Sequence, residues 1–181
     1  MRFFVIILIA LLCFACSSDE SANESADKNS ERIPTQESWN SDYRVTEDGL
    51  LKAIMFARHT RKYSDKKETL MDTLKVDFYD EHGIKTTTLT SYFGKINDQN
   101  KNMVARDSVV AINEDGTMLE TEELHWNNRT RKITTEKFVT ITTKDEIIKG
   151  YGLESDQNLK NYKIFEPVIN ADAKKVKSEK K

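Results

Sequence analysis

The side chains that most often carry chemistry are present in this chain but scattered. His59, His82 and His125 lie far apart, with no cysteine near them and no ligand spacing, so they compose no metal site. Ser64, Ser91, Ser108 and Ser155 lack the glycine-rich elbow that lifts a nucleophile clear of a sheet. Asp77, Asp80 and Glu81 fall where a strand ends and turns, the ordinary place for solvated acids. Gly150-Tyr151-Gly152 sits inside a strand pattern with no helix after it, so it is no phosphate loop. Arg58, Arg61, Lys62, Lys66 and Lys67 make a basic run near the first strand, which reads as a solvated face. The two cysteines, Cys13 and Cys16, both stand at the front of the chain, leaving the body without a disulfide framework or a thiolate site. These residues predict a protein that is not an enzyme, holds no metal and uses no cofactor.

The chemistry that remains is apolar, and it must be positioned by strands. From Trp39 to Ile169 the chain is rich in Thr, Val, Ile, Phe and Tyr, which suit a pleated, half-buried surface. Apolar residues alternate with polar ones at Leu74, Val76 and Phe78, at Val110 and Ile112, and at Val139 and Ile141. Glycines close Glu47-Asp48-Gly49, Glu81-His82-Gly83 and Glu114-Asp115-Gly116, as hairpin turns require, and Asn127-Asn128 is a further turn candidate. The spacing predicts strands near 50–64, 69–80, 84–94, 103–113, 117–126, 131–143, 146–154 and 159–166. That is an all-β antiparallel meander, a sandwich, an open barrel or a stacked roll. An offset of 29 residues pairs Val110 with Val139, Ile112 with Ile141, Leu119 with Ile148 and Leu124 with Leu153, a faint repeat that suggests stacked hairpins. The expected inward face is Phe78, Leu89, Val110, Ile112, Leu119, Leu124, Trp126, Val139, Ile141, Ile148 and Leu153, with Ala111, His125 and Thr140 on the opposite phase. Gly150 and Gly152 flank Tyr151 where a bulge or the close approach of another backbone is expected, which makes them candidates for a partner interface.

Composition limits the rest. A chain of 181 residues holds one domain or two, and 38% hydrophobic content is too low for a transporter of many spans. Lys and Arg total 28 against 30 Asp and Glu, so bulk charge does not draw the protein to nucleic acid. The front is an address. Met1-Arg2 precedes thirteen apolar residues, Phe3 to Ala15. As a helix they would reach ~20 Å, short of the ~30 Å hydrocarbon core, which describes a secretory signal. Leu12-Cys13-Phe14-Ala15-Cys16 resembles a bacterial lipobox, although Cys13 occupies the place where that motif usually has Leu. The resemblance implies cleavage after residue 15 and acylation of Cys16. The expected organisation is a signal over 1–15, a lipidated Cys16 with a flexible acidic tether to 38, a β domain over 39–169 and a Lys-rich tail over 170–181. Asn128-Arg129-Thr130 fits a glycosylation sequon, which a bacterial lipobox makes irrelevant.

The stretch from Leu119 to Leu153 resembles the LptC family, the membrane-anchored periplasmic component of the lipopolysaccharide export machine. The residues that carry the likeness are Val110-Ala111-Ile112, Gly116, Leu119-Glu120-Thr121 through Leu124-His125-Trp126, Ile133-Thr134-Thr135, Val139-Thr140-Ile141, and Gly150-Tyr151-Gly152-Leu153 followed by Asp156. Upstream, Gly49-Leu50-Leu51 through Tyr63 is similar to the family's first long strand, and the likeness covers roughly residues 43–168. Phe138 stands where many relatives have Pro, and a lipoprotein signal replaces their transmembrane helix. The resemblance implies a β-jellyroll open along one side, with an apolar interior trough in which the inward residues above bind lipid. It implies lipopolysaccharide as ligand, and as partners the permeases of an inner-membrane ABC transporter and a soluble periplasmic bridge protein of the same fold, joined by strand addition at a sheet edge. It places the protein, lipid-anchored, at the periplasmic face of the inner membrane. The competing reading is a structural or surface-exposed β-domain lipoprotein that binds protein or glycan.

Overall fold

The computed structural model describes residues 33–168. The expected signal over 1–15, Cys16, most of the tether and the tail over 170–181 lie outside the described residues. Nine antiparallel strands form one sheet in chain order: β1 (Gln36–Glu47), β2 (Leu50–Tyr63), β3 (Glu68–Tyr79), β4 (Lys85–Asn97), β5 (Met103–Asn113), β6 (Met118–Asn127), β7 (Lys132–Thr142), β8 (Ile147–Asp156) and β9 (Tyr162–Val168). The described residues contain no helix. Eight of these strands lie where the sequence predicts them, and the all-β meander is borne out. The ninth is β1, which begins at Gln36, inside the stretch expected to be tether.

Short side chains build the turns. Asp48 and Gly49 both take positive φ, 51° and 79°, the pair of left-handed residues that a two-residue hairpin needs. Elsewhere a side-chain oxygen at the strand end accepts the backbone N–H groups of its own turn. Asn97 Oδ1 takes Gln99 and Asn100, Asn113 Oδ1 takes Asp115 and Thr117, and Asn127 Oδ1 takes Arg129 and Thr130. Asp80 and Asp156 do the same in the β3–β4 and β8–β9 connections.

A single line of irregularities crosses all nine strands at mid-length. Asn40, Arg58, Thr73 and Tyr92 stand at unpaired positions of successive ladders. The line continues through Asp107 and Ser108, Glu122, Glu136 and Lys137, and Gly152 opposite Phe165. Asn40, Thr73, Asp107, Ser108 and Gly152 all have positive φ. From β4 to β8 the register also shifts at this level, and bulged strands bend, so the line is a fold line. Buried positions step by three across it rather than two, as from Ala57 to Thr60, Met71 to Leu74 and Thr121 to Leu124. The extra residue keeps the same face inward on both sides of the bend.

The sheet therefore rolls over on itself. Its two edges, β1 and β9, pair with nothing beyond their single chain neighbours, so the roll is an open β-jellyroll meander rather than a closed barrel. The inner face carries one row across eight strands, Tyr43, Met55, Val76, Leu89, Ala111, Leu119, Ile141 and Ile148, each directly paired with the next. Leu119 and Ile141 are fully buried. Ion pairs tie distant parts of the roll together: Arg131, in the β6–β7 turn, holds both oxygens of Glu47 at 2.6 Å, and Lys160 holds Glu114 at 2.8 Å.

Candidate functional site

The inner face encloses an almost wholly apolar cavity of about 50 Å³. Met71, Leu74, Val76 and Phe78 line it from β3, Leu89 and Ile96 from β4, Ala105 and Ala111 from β5, Leu124 and Trp126 from β6, and Ile133 from β7. A second cavity of about 230 Å³ lies under β1 and shares Met71 and Ile96 with the first. Its floor adds Met55, and its rim carries hydroxyls, with Ser38 Oγ 2.5 Å from the Tyr43 hydroxyl. Burial works against the Tyr43 phenolate, but the Ser38 hydrogen bond and the nearby Thr60 and Ser41 hydroxyls outweigh it and hold its pKa below the usual value. The two cavities form an interrupted trough with an apolar floor and, under β1, a polar lip.

One end of the trough is stopped by the chain itself. The β8–β9 connection crosses it, and Gln157 lines the cavity wall. Thr87 Oγ1 donates to the Gln157 carbonyl at 3.1 Å, and Asn113 Nδ2 donates to the Asn158 carbonyl at 3.0 Å. Leu159 drops into the core with 2% of its surface exposed.

Of the inward residues predicted from sequence, Leu89, Leu119, Leu124, Val139, Ile141 and Leu153 belong to the buried core. Phe78 and Trp126 are half-buried and pack on it, and Ile148, half-buried, ends the inner row. Val110 and Ile112 are a correction, since β5 buries Val109 and Ala111 instead and leaves Ile112 44% exposed. Four apolar residues in a row, Val109 to Ile112, supply a candidate for either phase. The inner row decides between them, because at this point it passes between Leu89 and Leu119 and a small Ala111 fills the gap between two large neighbours. Gly150 and Gly152 lie in β8, the neighbour of the edge strand. They face β9 of the same chain rather than a free edge: a Cβ on Gly150 would lie 2.5 Å from the Glu166 carbonyl oxygen, and Gly152 takes φ of 74° beside Phe165.

The residues singled out for polar chemistry go elsewhere. His125 Nε2 lies 2.6 Å from Glu123 Oε1, and Arg106 pairs with the same carboxylate. The His125 hydrogen bond, against some burial and helped by Arg106, lowers the Glu123 pKa. His59 stacks on Trp39, with ring centroids 4.9 Å apart, between Glu37 and Asp72, while Arg61 grips Asp72 through two bonds of 3.1 and 2.8 Å. His82 is exposed in its turn. Ser91 and Ser155 donate to backbone carbonyls close by in their own strands. Among the described residues no group of His, Cys, Asp or Glu is arranged to hold a metal ion, and no helix is long and apolar enough to cross a membrane.

Sequence reasoning missed Met71, Ala105, Ile133 and the whole β8–β9 stopper. Its one signal is Leu159, a lone apolar residue in the polar run from Asp156 to Asn161.

The class the fold defines is an open β-jellyroll meander with an apolar inner face and two free edges. The lipopolysaccharide-assembly, LptC-related family matches residues 3–169, and the chain belongs to it. The family serves lipopolysaccharide transport at the periplasmic side of the inner membrane. No curated protein matches the chain in sequence.

Proposed function

We propose that the protein is a non-enzymatic bridge in lipopolysaccharide export. It is held at the periplasmic face of the inner membrane by acyl chains on Cys16. It receives lipid from the permeases of an ABC transporter and passes it to a soluble bridge protein of the same fold. The observation that carries this reading is the apolar row across eight strands on the concave face of a sheet whose edges are both free. Acyl chains crossing water cost about 0.8 kcal/mol per CH₂, over 10 kcal/mol for one long chain. An apolar trough removes that cost while the sugars stay solvated. β1, twelve residues long and without proline, and the shorter β9 give free edges for strand addition on either side. ATP hydrolysis by the transporter supplies the energy, because the sequence carries no nucleotide motif.

The test is photo-crosslinking in cells at half-buried wall positions that tolerate an aromatic probe. Benzoylphenylalanine in place of Phe78 or Trp126 should trap lipopolysaccharide while the transporter hydrolyses ATP. The same probe at Asp77 or His125, one residue away on the other face, should not. Equal labelling of both faces, or none on either, would instead support the structural-lipoprotein reading.

A further inference from the structure

The trough as it stands is too small for a long acyl chain. Its main cavity is about 50 Å³ and the one under β1 about 230 Å³, together short of the ~300–1,000 Å³ of pockets that bury a drug-sized ligand. Something in its wall must move, and the connection from Asp156 to Asn161 is made differently from the rest. Its backbone forms no ladder with the strands it covers. It is held instead by side chains reaching to its carbonyls, Thr87 to Gln157 and Asn113 to Asn158, and by the surface ion pair of Lys160 with Glu114. Leu159 adopts φ of 54°, a costly conformation for a side chain of its size. Burying that side chain offsets the strain, so conformation and burial are coupled. The turn's own hydrogen bonds also hold the left-handed backbone: Leu159 N–H donates to the Asp156 carbonyl at 3.3 Å and Lys160 N–H to Asp156 Oδ1 at 3.1 Å. The Asn158 Oδ1 atom is also buried with no hydrogen-bond partner, a further cost of the closed position.

We propose that the β8–β9 connection is a releasable stopper, in which Gln157 walls the cavity and Leu159 anchors the connection in the core, and which withdraws to admit an acyl chain. The inference rests on the reading of the trough as a lipid path. A hydrocarbon chain entering at this end replaces the leucine side chain with equivalent apolar contact. Displacement therefore leaves the core satisfied while it lengthens the cavity. The ion pair is the latch. It is exposed, and breaking it leaves no buried charge.

A reducible bridge across the latch tests this. Glu114→Cys and Lys160→Cys in the full chain, held in lipid nanodiscs, are joined by a bis-maleimide that contains a disulfide. Each single variant is treated in parallel. The probe is palmitic acid carrying a diazirine, and the readout is the yield of adducts on peptides containing Leu89 or Leu124. The bridged protein should lose about tenfold in interior adducts and regain them on reduction, while Glu114→Lys should gain about threefold through a larger open fraction. Equal labelling of bridged and reduced protein would overturn the stopper and leave the trough standing. Labelling that is lost but not regained on reduction would also overturn it. An absence of interior adducts in every form, the unmodified protein included, would overturn the trough itself and the stopper with it.

Discussion

A methyl group at position 150 has nowhere to go. The Cβ of an alanine there would stand 2.5 Å from both the Glu166 carbonyl oxygen and the Ile164 Cγ2, and 2.9 Å from the Pro167 Cα. Two of those three atoms are backbone, so β9 as a whole must retreat. Gly150→Ala should cost about 1–3 kcal/mol, the usual range for overpacking. The loss should concentrate in β9, with amides from Tyr162 to Phe165 exchanging hydrogen faster relative to those of β4 and β5. Uniform loss of protection across the sheet would contradict this placement of the strain. The corrected phase of β5 has its own check in neighbouring residues. Ala111→Asp buries a carboxylate at a position 2% exposed and should cost several kcal/mol in urea unfolding. Ile112→Asp, on the outer face, should stay within about 1 kcal/mol.

At the scale of elements, legibility in the sequence followed apolar alternation. β3 announces itself through Leu74, Val76 and Phe78 because its outer residues are polar and its inner ones are not. β1 was silent: it is an edge strand with only Ser38, Ser41 and Tyr43 partly covered, so QESWNSDYRVTE has no apolar period to detect and exists by pairing with β2. The fold line was silent for another reason. Nothing in Thr73 or Asp107 marks a left-handed residue as a glycine would, and the conformation is imposed by the need to bend every strand at the same level. That imposition is measurable. Thr73 carries a β-branched side chain at φ of 52°, a strain of order 1–3 kcal/mol. Thr73→Gly relieves it at a glycine cost of roughly 0.5–1 kcal/mol. The variant should therefore be more stable by about 1 kcal/mol, read as a higher urea midpoint with an unchanged slope. A less stable variant would mean that the bend tolerates threonine without strain.

For the whole molecule, stability draws on carboxylates that stay ionised between neighbouring strands and in the turns. Burial opposes ionisation of Asp77, but Thr88 Oγ1, donating at 2.6 Å, and the ammonium groups of Lys75 and Lys85 more than offset it, so its pKa is lowered. Glu123 is lowered chiefly by His125 and Arg106, and Asp80 chiefly by the Ile84 and His82 amides of its turn. A folded-state pKa below the unfolded value means that the unfolded chain binds protons first as acid is added. The stabilisation these groups provide is complete above the ordinary carboxylate range and is lost as pH falls through the depressed folded values. The urea midpoint should therefore hold level from neutral pH to about 5 and then fall steadily below about 4, where unfolded Asp and Glu begin to protonate. Asp77 joins β3 to β4 beside Phe78, which lines the trough. Asp77→Asn should therefore lower the plateau and flatten the acid limb together, since it removes the charge that acid would otherwise neutralise. A variant that lowered the plateau but kept the full acid slope would place the linkage in Glu123 and the turn at Asp80 instead.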